Sequence, residues 1–180
     1  MTLTFREPLQ KLFDYTDAEG NKYAGTLLNV YIDSDNSAAT GGKPRWASEA
    51  DRPLEGYDFT VDVALGYAFK ILGTDSPGWS SGDTFVNINK VKVEKFFGKF
   101  SISKIEQGGD SRDFSHKNPD LSGNEGMKRT QIVGEKLTIE IPCEWLGVKS
   151  GDTLRLCIKD YQEGTASGKS ISQDRLLTLK

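Results

Sequence analysis

The chain is poor in the residues on which catalysis and metal chemistry most often depend. It holds one histidine, two cysteines and two methionines in 180 residues. A single imidazole, His116, excludes multi-histidine zinc or iron sites. Two cysteines, Cys143 and Cys157, supply neither a four-thiolate zinc site nor a Cys-x-x-Cys redox pair. A Ser/His/Asp triad needs its histidine beside a strained nucleophile turn, yet no Gly-x-Ser-x-Gly occurs and His116 lies in the polar run Asp113-Phe114-Ser115-His116. Near the end of the chain, Glu163-Gly164-Thr165-Ala166-Ser167-Gly168-Lys169-Ser170 almost spells a phosphate loop, but glutamate stands where the motif needs glycine, and a hairpin turn is expected instead. Long apolar runs are missing too, the longest falling far short of the ~20 residues of a membrane helix, so no membrane insertion is expected. Residues 1 to 20 contain no apolar secretory core, although leaders are normally lost from mature chains. Basic blocks are also absent. With Lys+Arg 23 against Asp+Glu 26, a net charge of −3 and a pI near 5.3, a nucleic-acid footprint is not expected.

Glycine is plentiful, with 19 residues where average usage gives about 12 or 13 in this length. The glycines mark turns: Glu19-Gly20-Asn21, Thr40-Gly41-Gly42, Ser76-Pro77-Gly78, Ser81-Gly82-Asp83, Gly108-Gly109-Asp110 and Ser150-Gly151-Asp152. Between them the hydrophobic period is two. Leu28, Val30 and Ile32 share one face of Leu27 to Asp33, Tyr57 to Val63 alternates apolar and polar, and Phe85 to Val93 does so less regularly. In Lys90 to Phe100 the spacing of Val91, Val93, Phe96, Phe97 and Phe100 fits a strand and turn better than a helix. Short strands, glycine turns and no βαβ alternation predict an all-β, antiparallel two-sheet sandwich in one domain of 180 residues, long enough to bury roughly 70% of its unfolded surface without disulfides. Alternation sets Cys143 with the apolar residues of its segment and Cys157 with Arg155 and Lys159. The thiols then face opposite ways, against a disulfide.

Asp33 to Leu54 and Gln107 to Lys128 break the rhythm, and loops of this length are usually functional. The first opens with Asp33-Ser34-Asp35-Asn36-Ser37. Carboxylates at i and i+2 past a strand, followed by small residues, supply oxygen ligands of the kind Ca²⁺ takes. The spacing is not an EF-hand, since Ala38 and Pro44 stand at its glycine and glutamate positions. An Asx-rich turn that satisfies only backbone donors fits the same residues.

The run Val30-Tyr31-Ile32-Asp33-Ser34-Asp35-Asn36, then Thr40-Gly41, Trp46 and Gly56-Tyr57-Asp58-Phe59, resembles family 9 carbohydrate-binding modules and their DOMON-like relatives. Leu137 to Pro142, followed by Leu146-Gly147 and Gly151-Asp152-Thr153-Leu154, is similar to that family's closing hairpin. The resemblance implies a jelly-roll sandwich, secreted, periplasmic or at the cell surface, often part of a larger enzyme or surface assembly. It also implies a structural calcium held by Asp33 and Asp35, with the carbonyls of Thr40 or Gly41 and the carboxylate of Asp58 completing the shell. Some DOMON-like relatives bind haem through Met and His; here Met127 and His116 both fall in a polar loop, which argues against it.

Sugar rings stack their C–H faces on exposed aromatics. Trp79, in a turn-rich stretch, is the first platform candidate and Trp46, in the acidic-loop insert, the second. Tyr31 joins them if the strand face it shares with Asn29 and Asp33 is a binding surface; a second covered face is the alternative. Trp145, between Ile141-Pro142 and Leu146-Gly147, is expected to plug the core. The expectation is therefore a non-catalytic module that binds a polysaccharide or oligosaccharide, with a surface interaction domain and, further off, a glycoside-processing enzyme as alternatives.

Overall fold

A computed structural model describes residues 1–43, 55–82, 84–105, 114–115, 124–160 and 174–180. Among these, the order is β1 (Thr2–Thr4), α1 (Leu9–Phe13), β2 (Asn21–Ala24), β3 (Thr26–Asp33), β4 (Phe59–Ile71), β5 (Pro77–Ser81), β6 (Thr84–Asn87) and β7 (Val91–Ile105). There follow β8 (Phe114–Ser115), α2 (Asn124–Lys128), β9 (Thr130–Val133), β10 (Lys136–Ile139), α3 (Cys143–Leu146), β11 (Thr153–Asp160) and β12 (Arg175–Thr178). Strands run β1-β10-β9 in one sheet, β2-β6 in a second, and β12-β11-β3-β4-β7-β8 with β5 added to β4 in a third. The pairings are antiparallel. This is the all-β sandwich class that the period-2 patterning predicts.

The chain gathers into two compact units, each assembled from three separate segments. One takes 1–27, 63–100 and 122–140. Its core holds Leu9, Leu65, Phe100, Leu137 and Ile139, all without exposed surface, and a cluster of Tyr67, Ala24 and Val86 on which Phe69, Val91, Val93 and Phe96 pack. The other takes 28–62, 101–121 and 141–180. Here β3 is buried on both faces from Leu28 to Asp33, as a central strand must be. Val30 and Ile32 lie on one face, while Tyr31 packs with Tyr57, Ile105 and Cys157 on the other. Crossing β3, Asn29, Tyr31 and Asp33 pair with Lys159, Cys157 and Arg155 of β11.

Several local expectations change. The stretch from Val91 to Ile105 is one 15-residue strand with no turn inside it. Its irregular pattern has a physical origin: Val91, Val93 and Phe96 all pack on the Tyr67 cluster, so the alternation slips by one residue between Val93 and Phe96, as a β-bulge requires. Ser76-Pro77-Gly78 is not a turn, because Pro77 is the first residue of β5, opposite Lys70, and β5 lies off the main strand path as a partner of β4, a place where proline is tolerated. Trp145 does not plug the core. It sits half-buried on α3, a single turn closed by Gly147 at φ +69°, and Leu146 and Val148 are the buried residues there. Cys143 stands exposed at the start of α3 instead of joining the apolar face of its segment, whereas Cys157 is fully buried. The two form no disulfide, but the expected orientations are reversed, since Cys143 is the exposed one and Cys157 the buried one.

Candidate metal centre and aromatic platform

Asp33 closes β3, and the chain then turns sharply through Asn36, which adopts φ +55°. The Ser37 amide donates to Oδ1 of Asp33 at 3.2 Å and to Oδ1 of Asp35 at 3.0 Å, a local Asx pattern that fixes both carboxylates. The Thr40 hydroxyl donates to both oxygens of Asp35 at 2.9 Å. On the facing segment, Oδ2 of Asp58 accepts from the amide and hydroxyl of Ser34 at 2.8 and 2.7 Å. Gly42 and Tyr57 exchange backbone hydrogen bonds of 2.9 and 3.2 Å, and these hold the loop against Asp58. Gly41 makes that approach possible. At φ +64°, any Cβ there would sit 2.3 Å from the Tyr57 carbonyl oxygen and 3.0 Å from Oδ1 of Asp58.

The result brings one oxygen of each of Asp33, Asp35 and Asp58 within 4.8 Å of the others. Two unscreened carboxylates at that distance repel by about 3 kcal/mol at an effective dielectric of ~20. One cation partly offsets the cluster. Arg155 meets Oδ2 of Asp33 through Nε at 2.8 Å, and its terminal nitrogens reach the Glu55 and Gly56 carbonyls at 2.8 and 3.3 Å and Asp174 at 3.7 Å. Its guanidinium also lies 4.7 Å above the Tyr57 ring, whose hydroxyl donates to Asp174 at 2.7 Å. Burial pushes the Asp33 carboxyl above the usual range, with Arg155 pulling it back. Burial and the bond to Asp174 raise the Tyr57 phenol well above its ordinary value.

With three carboxylates and one guanidinium, the cluster carries a formal excess of two negative charges. Oxygens that bind Ca²⁺ at 2.3–2.6 Å lie at most about 5.2 Å apart, so the donor set fits such an ion in chemistry and in span. The local hydrogen bonds of the Asx turn are present as well. Thr40 meets Asp35 through its hydroxyl, and Gly41 contributes by lacking a side chain.

The aromatic candidates separate. Trp79 lies on β5 opposite Ala68, 48% exposed, with Nζ of Lys99 at 4.4 Å from its ring centroid. Tyr31 is removed from the ligand set: it has no exposed surface, because the face it shares with Asn29 and Asp33 is the covered one. Trp46, His116 and the 163–170 run lie outside the described residues. Met127 is half-buried on α2.

Sequence reasoning missed Arg155, which organises the acidic loop from across the sheet. Its only signal was its place beside Cys157 and Lys159, which reads as a polar face turned to solvent. Lys159 is 5% exposed, so that face is covered.

No helix among the described residues is long and apolar enough to cross a membrane. Comparison of the chain with protein-family models, with curated proteins and with solved structures finds no match in any of the three.

Proposed function

We propose that the chain is a non-catalytic carbohydrate-binding module whose acidic loop is pinned by a calcium ion. The observation that carries the sugar reading is Trp79: a tryptophan 48% exposed on a regular strand, where Tyr31, Tyr57, Tyr67 and Phe100 are wholly buried. Such a side chain offers a flat apolar face in a fixed position, which is what a pyranose ring stacks on, and it costs little entropy to hold there. Calcium would supply two positive charges where Asp33, Asp35 and Asp58 converge, relieving their mutual repulsion. Those residues would hold the ion and fix the loop; no bond-making step is assigned to it.

Titration of soluble glucans, xylans and cello-oligosaccharides against tryptophan fluorescence tests the sugar reading. Binding that Trp79→Ala abolishes, with the melting temperature of the protein kept, is the expected result. Silence across a broad panel sinks it and leaves a surface interaction domain of the same fold. For the metal, a ligand bound only to the folded state stabilises by about 2.7 kcal/mol at 100-fold excess over Kd, so chelator is expected to lower the melting temperature. An unchanged transition removes calcium from the account.

A further inference from the structure

The β4, β5 and β7 segments of the first compact unit carry their charge on one side. A Cβ on Gly66 would meet Ser81 Cβ at 2.9 Å and the Phe97 ring at 3.0 Å, so these three residues share a face. Strand alternation adds Ala68 and Lys70 on β4, Trp79 on β5, and Lys95 and Lys99 on β7. Before the bulge, the same face takes Lys92 and Glu94, in agreement with the 3.8 Å ion pair between Lys70 and Glu94. Tyr67 and Phe96, 5.6 Å apart, mark the opposite, packed side. Within 63–71, 77–81 and 91–100 the charged residues are these four lysines and one glutamate. A chain of net charge −3 thus presents a local excess of three positive charges around its half-exposed tryptophan.

We infer that this face binds an acidic glycan, one that alternates a uronic acid with a neutral sugar. The inference rests on the carbohydrate reading and names its substrate class. Lys99 holds its ammonium at the Trp79 ring, so a sugar carboxylate brought to the platform meets a cation already in position, and the two contacts reinforce each other. On β4, between Trp79 and the lysines, stand Gly66 and Ala68, and the Phe97 ring packs over Gly66. Along β7, Lys92, Lys95 and Lys99 follow one another at about 10 and 13 Å for a rise of ~3.3 Å per residue, the scale of a disaccharide repeat. Within 63–71, 77–81 and 91–100 Trp79 is the one exposed aromatic, which disfavours single-stranded nucleic acid, since that stacks successive bases on successive platforms.

The test titrates the full chain with hyaluronan oligosaccharides, with the same oligosaccharides after carboxyl reduction, and with a thymidine oligonucleotide. The acidic form is expected to bind at least ~10-fold tighter than the reduced form at low salt, and to lose most of that margin at roughly 0.3 M salt. The exposed pair Lys92→Gln/Lys95→Gln, which leaves the fold untouched, is expected to cut the margin several-fold without changing the affinity for the reduced form; Lys99→Gln should do the same. Equal affinity for both forms overturns the inference and leaves the carbohydrate reading standing. A tighter grip on the oligonucleotide overturns it in favour of nucleic acid. No response to either glycan, with none in the neutral panel above, overturns both.

Discussion

Replacing Arg155 with methionine removes a charge while keeping most of the side chain's apolar length. The partner it abandons is Asp33, whose side chain has no exposed surface and whose Oδ2 receives Arg155 at 2.8 Å. Breaking a buried ion pair from one side costs about 3–5 kcal/mol, since the remaining charge is left uncompensated. Arg155 is itself 20% exposed, and the Ser37 amide stays on Asp33, so the lower end, about 3 kcal/mol, is the figure expected. In a chain of this length that is a fall of roughly 6–12 °C in melting temperature. The further ion pair to Asp174, long at 3.7 Å and partly exposed, adds little. Urea unfolding of four proteins measures it: wild type, Arg155→Met, Asp33→Asn and the double variant. Removing the carboxylate together with the guanidinium leaves no buried charge, so the double variant should be more stable than Arg155→Met alone. Added calcium should rescue Arg155→Met more than wild type, because the freed carboxylate can turn to the ion. A loss below about 1 kcal/mol, or a double variant no better than the single one, would refute the view that Asp33 is buried on condition of this partner.

Other outcomes follow from single observations. Gly41→Ala should cost about 2 kcal/mol or more in chemical denaturation, because its φ of +64° and the Tyr57 carbonyl leave no place for a Cβ; wild-type stability would mean that the loop relaxes freely. Leu137→Ala, at a residue with no exposed surface, should cost 2–5 kcal/mol, while Val133→Ala, 63% exposed, should stay within about 0.5 kcal/mol. A thiol reagent should label Cys143 in the native protein and Cys157 only on unfolding; equal rates would contradict the burial of Cys157. Burial, with Asp14 adding to it, pushes the Tyr67 phenol up to about 12. A raised folded-state value gives stability that is intact below the unfolded pKa near 10 and lost as pH climbs through 12. Alkaline titration followed by phenolate absorbance should therefore show a late component that Tyr67→Phe removes.

How much was legible in advance follows from range. The alternation of Leu28, Val30 and Ile32, and that from Phe59 to Val63, reports local backbone geometry, and it sufficed for β3 and for the start of β4. It stopped short at β7, where a bulge shifts the period and makes one strand read as two pieces. It left the polar face of β3 open between a binding surface and a covered face. Asn29, Asp33 and Lys159 look like solvent-facing residues, and only the sheet's neighbours make them buried.

The acidic loop was visible as Asp-x-Asp past a strand because its first two carboxylates and the Ser37 amide that fixes them lie within five residues. What Asp58 and Arg155 add spans 24 and 122 positions from Ser34 and Asp33, distances over which spacing carries no information. The count of one histidine and two cysteines limits from the start which sites these 180 residues can build from those side chains, since a missing functional group is missing in any fold. The tertiary structure alone decided where the plentiful lysines stand. Scattered through 70–99, they form no basic run, but period-2 geometry on adjacent strands turns them to one side beside Trp79, and charge acts through distance in space rather than along the chain.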